Sequence, residues 1–171
     1  DVSFEDVAFG KDTFFNAARF LGSANFNYSH FASYSYFAAS EFEGEALFRD
    51  VDFSEASDFS AASFFGKANF IRSRLEEPYF GDALFSGPAQ FGLVSFSGLS
   101  SFGGAVFADE AEFSLSRFSE AADFSRVVFQ DLALFGLTKF EDMVTFQEAS
   151  FQGDLNFKGE SIPDLLFDKA K

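Results

Sequence analysis

A single imidazole, His30, stands in a chain of 171 residues that has no cysteine. Acid–base work near neutral pH and thiolate or Cys-metal chemistry draw on these two residue types. His30, directly before Phe31, reads as an ordinary surface residue. The abundant serines suggest no fixed Ser–His–Asp constellation. Glu76-Glu77 is an adjacent carboxylate pair beside Pro78. It suits a bulge in a regular element better than an acid–base dyad. No EF-hand spacing is present, and the glycines lack the G-x-G-x-x-G clustering of a phosphate loop. Asn27-Tyr28-Ser29 is a formal glycosylation sequon, a match common by chance. The sequence therefore implies no enzyme chemistry, no cofactor and no metal.

Charge narrows the function classes further. Twelve Lys and Arg against 27 Asp and Glu give −15 at pH 7. A surface of that sign does not bind nucleic acid by neutralising phosphates and is repelled by anionic membranes. No apolar run approaches the 18 residues of a membrane span. The absence of Cys leaves the redox compartment, and with it the localisation, undetermined. The chain opens on Asp1 without a signal segment and reads as a processed chain or an excised segment. What remains as candidate machinery is surface: the acids Glu55, Glu77, Glu120 and Asp142, and the aromatics Phe14, Tyr36 and Tyr79. Their meaning depends on the elements that position them.

Those elements are written in the phenylalanines, 31 of them. From Phe4 to Phe70 successive Phe are separated by 5, 6, 5, 6 without exception, and the series resumes from Phe80 to Phe157. Leu75 fills the gap, where one residue is lost, and Ile162 and Phe167 extend the end. Of 31 centres, 29 are Phe, leaving only Phe14 and Phe65 outside the series. Two residues before nearly every centre stands Ala, Ser, Thr or Val. At about 100° per residue, steps of 5 and 6 would put Phe on two helix faces roughly 140° apart, with no single seam. In a flat sheet with period 2, a step of 5 would send successive Phe to opposite faces. A solenoid satisfies the pattern: four short sides of 5+6+5+6 residues, each sending one small and one large residue inward.

The unit is similar to that of the pentapeptide-repeat family, A-(D/N)-L/F-x-x. It is carried here by Ala24-Asn25-Phe26, Ala68-Asn69-Phe70, Ala122-Asp123-Phe124 and dozens of looser units. The sequence resembles a Phe-centred branch with alternating 5/6 spacing. The resemblance implies an all-β, right-handed quadrilateral β-helix; its handedness comes from the family alone. Residues 1–171 then form one solenoid of about 8 coils of about 22 residues, a rod on the order of 38 Å. The coil near 71–80 is irregular, and 158–171 is a degenerate last coil or the start of a cap.

Residues 22 apart stack, or 21 across the lost residue. The first ladder is Phe4, Phe26, Phe48, Phe70, Phe91, Phe113, Phe135, Phe157. The second is Phe9, Phe31, Phe53, Leu75, Phe96, Phe118, Phe140, Ile162. The third is Phe15, Phe37, Phe59, Phe80, Phe102, Phe124, Phe146, Phe167, and the fourth Phe20, Phe42, Phe64, Phe85, Phe107, Phe129, Phe151. Gly22, Gly44, Gly66, Gly87, Asp109, Asp131 and Gly153 follow the fourth ladder by two and predict left-handed corners. Glu55, Glu77, Gly98, Glu120, Asp142 and Asp164 follow the second by two. Like charges in such a column repel, so they serve solubility and edge protection or a basic protein partner. The family resemblance adds a third reading, mimicry of DNA toward a type II topoisomerase (gyrase). Phe14, Tyr36, Asp58 and Tyr79 form an outward column before the third ladder, either a protein contact or a cluster covered by a flanking segment. Leu93, Leu115 and Leu137 are corner hydrophobes or a contact strip. The expected function is a non-enzymatic scaffold binding a protein partner or larger assembly, with end-to-end self-association open to its uncapped coils.

Overall fold

The computed structural model describes residues 1–158 and 165–166. It is all-β among these residues: short parallel strands stacked into a four-sided solenoid of about 7 turns of about 22 residues. The expected eighth coil depends on Ile162, Pro163, Asp164 and Phe167, which lie outside the described residues, as does most of the expected cap. The strand Leu165–Leu166 pairs with Val144–Thr145 and extends the third side.

Each described strand is two residues long except Asp52–Asp58 and Arg74–Tyr79. A side has room for one inward small residue, one outward residue and one inward Phe before the chain turns. The pairing register is the repeat itself. Val2 pairs Ala24, Ala24 pairs Ala46 and Ala46 pairs Ala68, all 22 apart. It falls to 21 at Ala68 with Ala89, and at Phe64 with Phe85, then returns to 22. The slip is localised in the two long strands: Phe53 faces Leu75, Ala56 faces Glu76, and Asp58 faces Tyr79. Glu77 bulges there with φ 41°.

The predicted core is inward. Phe26, Phe48, Phe53, Phe59, Phe64, Phe102, Phe107, Phe113 and Phe118 are fully buried, and the small residues beside them with few exceptions. Within a ladder, rings lie flat on each other because the backbone repeats at the strand spacing; Phe26 and Phe48 stack at 4.8 Å and 2°. Across the rod the first and third ladders mesh edge to face, as Phe37 does with Phe48 at 5.5 Å and 90°. Both geometries suit the ring quadrupole, so one residue type fills the whole cross-section. Among the described ladder rings, those of the end coils are partly buried: Phe4, Phe9, Phe15 and Phe20 at one end, Phe151 and Phe157 at the other.

The corners correct one expectation. Gly22, Gly44, Gly66, Gly87, Asp109, Asp131 and Gly153 are not left-handed. Positive φ falls instead two residues after the first and third ladders, on the five-residue sides, at residues as varied as Ala39, Arg72, Leu93, Leu115 and Leu137. A five-residue side must turn tightly. It does so through a β-turn with positive φ at its third position, closed for example by Ala18 N–H donating to Phe15 C=O at 3.0 Å. The six-residue sides have a residue to spare and need no such turn. Glycine in their column serves close stacking: a Cβ on Gly66 would lie 2.5 Å from the Gly44 carbonyl oxygen.

Side chains finish the turns. Asn25, Asn69 and Asp123, the middle residues of the three quoted tripeptides, each accept the N–H two residues onward at 2.8–3.0 Å. A second device lies in the inward small column of the second side, which reads Val7, Ser29, Val51, Ser73, Val94, Ser116, Thr138. Each hydroxyl reaches the coil before it. Ser73 Oγ donates to Phe48 C=O and accepts from Val51 N–H at 2.9 Å. The serine thus enters the preceding turn, and the alternation of Val with Ser alternates donor sites with plain ones.

Candidate protein-binding face

The eight ion pairs among the described residues divide the acids into two sets. Arg19 holds Glu41 and Glu43; Asp50 meets Arg49 and Arg72; Asp52 meets His30; Glu76 meets Arg74; Glu141 meets Arg117 and Lys139. The lone histidine therefore sits on the second side as the partner of Asp52, at 3.2 Å. Parallel stacking brings five of these pairs together from adjacent coils, while Arg49–Asp50, Arg74–Glu76 and Lys139–Glu141 are one or two residues apart in sequence. Hydrogen bonds from Arg117 and Lys139 lower the Glu141 pKa to about 2. The Arg72 guanidinium lowers that of Asp50 in the same way.

The column Glu55, Glu77, Glu120 and Asp142 belongs to the other set. All four are exposed, and among the described residues no basic side chain lies within ion-pair reach of any of them. Asp142 accepts the N–H of Met143 at 2.7 Å. These acids line the corner between the second and third sides.

That corner borders the aromatic face. The third side carries Phe14, Tyr36, Asp58, Tyr79 and Ser101 in one paired column. Phe14 is 66% exposed and stacks on Tyr36 at 5.0 Å and 5°. A second outward column three residues before the ladder holds Tyr34, Ala56, Leu99, Ala121 and Met143. Tyr34 lies 6.4 Å from Tyr36. Together Tyr34, Tyr36, Ala56, Asp58, Ser60, Glu77 and Tyr79 line a groove of about 430 Å³ where the register slips. A second hollow continues from Tyr79 past Leu99 to Met143.

Of the candidate residues, the fold brings Glu77, Tyr36 and Tyr79 into one groove, with Phe14 at its end. Glu55, Glu120 and Asp142 stay on the corner beside it. Tyr34 and Asp58 join the groove; the column three before the third ladder was the sequence signal for Tyr34. Leu93, Leu115 and Leu137 are both corner residues and exposed, on a different edge. Among the described residues no three His, Cys, Asp or Glu are grouped to hold a metal ion, and no helix is long and apolar enough to cross a membrane.

The family model for pentapeptide repeats, nine copies long, matches residues 80–128 and 113–160. Residues 80–160 of the chain are pentapeptide repeats. No curated protein matches it. The ladders of the matched stretch run on in the same stack through residues 2–79. The groove of Tyr34, Tyr36 and Tyr79 lies in that earlier half. A pentapeptide-repeat solenoid fits a structural or interaction scaffold.

Proposed function

We propose that this pentapeptide-repeat solenoid is a non-enzymatic scaffold that binds a protein partner through its acidic corner and the aromatic face beside it. The observation that carries this reading is a column of unpaired acids set beside exposed aromatic side chains. Six acids elsewhere on the rod meet a basic side chain, while among the described residues Glu55, Glu77, Glu120 and Asp142 share one corner column beside the exposed aromatics and meet none. Repulsion within such a column opposes folding, so its use lies outside the chain. Exposed Phe14, Tyr34 and Tyr79 supply the apolar contact that charge alone does not. Affinity capture with the full chain, run beside Glu55→Lys/Glu120→Lys/Asp142→Lys, tests the reading. The partner retained by the native chain is lost from the reversed one; equal retention by both would refute it.

A second reading has its own support. Fifteen net negative charges over about 7 turns roughly 4.8 Å apart amount to about one per 2–3 Å of axis. Duplex DNA carries one per ~1.7 Å. A rod of that density suits a DNA-mimicking ligand of a type II topoisomerase. It predicts inhibition or protection in a supercoiling assay, abolished by the same charge reversal. No effect at micromolar protein eliminates it.

A further inference from the structure

Three of the four tyrosines, Tyr34, Tyr36 and Tyr79, line one groove together with two carboxylates, Asp58 and Glu77, and no basic residue. Tyr36 is held flat from outside the groove by Phe14, stacked at 5.0 Å. Asp58 is also fixed, because its Oδ1 accepts the Ser60 N–H at 2.9 Å. Glu77 is placed by the bulge, where one residue fewer than in the coil before turns the corner. The lining therefore offers oriented π faces and oriented anionic oxygens, with Ala56 leaving space between them.

An aromatic wall with carboxylates at its edge selects by charge. A neutral apolar guest would cover Asp58 and Glu77 without pairing them, which opposes binding. An organic cation stacks on the rings and pairs with the carboxylates at once. Arginine suits this best, since its planar guanidinium stacks on aromatic faces and donates in a fixed fork. We propose that the groove is the seat of an arginine side chain from a basic segment of the partner protein. This inference rests on the scaffold reading and adds the partner's chemistry and the point of contact.

The chain reports on the groove directly, because it has no Trp and three of its four Tyr are in the lining. The full chain is titrated by tyrosine fluorescence with an arginine-containing peptide and with the same peptide carrying citrulline, which keeps the shape and loses the charge. Saturable change with arginine, weakened at least tenfold with citrulline, is expected. Asp58→Asn/Glu77→Gln should weaken it about tenfold, and Tyr36→Ala comparably, with unchanged far-UV circular dichroism. Glu45→Gln/Asp131→Asn, exposed acids on the opposite corner of the rod, should change it less than twofold. Equal response to citrulline would mean an apolar groove and overturn the proposal. An equal loss in Glu45→Gln/Asp131→Asn would mean diffuse attraction, with the same consequence. Absence of a saturable response overturns it as well, and partner capture sensitive to Glu55, Glu120 and Asp142 would then leave the scaffold reading standing.

Discussion

Ser73 and Ser57 are both buried, both inward and both in the small position of their sides, yet replacing them by alanine should have opposite effects. Ser73 Oγ joins the Phe48 carbonyl to the Val51 N–H, while Ser57 Oγ is buried without a hydrogen-bond partner. Ser73→Ala removes two bonds of about 1 kcal/mol each and leaves two buried backbone groups unpaired, a loss of about 2–3 kcal/mol. Those groups can then close on each other, as Ala18 N–H and Phe15 C=O do at 3.0 Å. Closure recovers about 1 kcal/mol, for a net loss of about 1–2. Ser57→Ala removes a hydroxyl whose unpaired burial opposes folding by about 1–3 kcal/mol. It should stabilise by about 1 kcal/mol or leave stability unchanged. Urea unfolding followed by tyrosine fluorescence and circular dichroism gives the comparison, with equal slopes showing the same surface exposed. Equal losses from the two variants, or a larger loss from Ser57→Ala, would refute the reading of the hydroxyl as part of the turn.

Three further outcomes follow from the packing. Phe102→Ala, which empties a fully buried position between Phe91 and Phe113, should cost about 3–5 kcal/mol; Ser101→Ala, pointing outward, should cost little, and equal denaturation midpoints would contradict the inward assignment. Gly66→Ala sets a Cβ 2.5 Å from a backbone oxygen of the preceding coil and should cost about 1–3 kcal/mol. Gly81→Ala, whose nearest neighbour is 3.6 Å away, should fall within about 0.5 kcal/mol in thermal unfolding. Glu141, held at about 2 in the folded chain, has an ordinary value of about 4.3 when unfolded. Its pairing with Arg117 and Lys139 therefore favours folding above that ordinary value and is lost as pH falls toward 2. A carbon-detected NMR titration should place its midpoint near 2, and one near 4 would show the pairing to be absent.

How much was legible in the sequence varies by feature. The ladders, the register and the lost residue were readable because an inward position tolerates little: a ring at the centre and a small group two before it. The pairs Phe53 with Leu75 and Asp58 with Tyr79 locate the slip between Leu75 and Phe80, where the spacing places it. The left-handed corners were not readable. Among the described residues fourteen other than glycine adopt positive φ on the five-residue sides and at the Glu77 bulge, Leu, Arg, Tyr and Ala included. Stacked neighbours impose the turn whatever side chain is present, so the corner leaves no residue preference to detect. Glycine marked a different constraint, the approach of backbone to backbone.

The candidate face divides the same way. Composition and spacing determined which residues point outward and that acids and aromatics recur in columns. Charge sign and the small core residues needed no tertiary knowledge, because each follows from its own position in the repeat. Only the tertiary structure decided which acids are neutralised, since Arg19 meets Glu43 and Arg72 meets Asp50 through coils 22–24 residues apart. Only it showed the serine hydroxyls entering the preceding turn, and Tyr34, Asp58 and Glu77 gathered with Tyr36 and Tyr79. These are relations between neighbouring columns. A repeat sets each column by itself, while the contact between columns depends on how the corners turn.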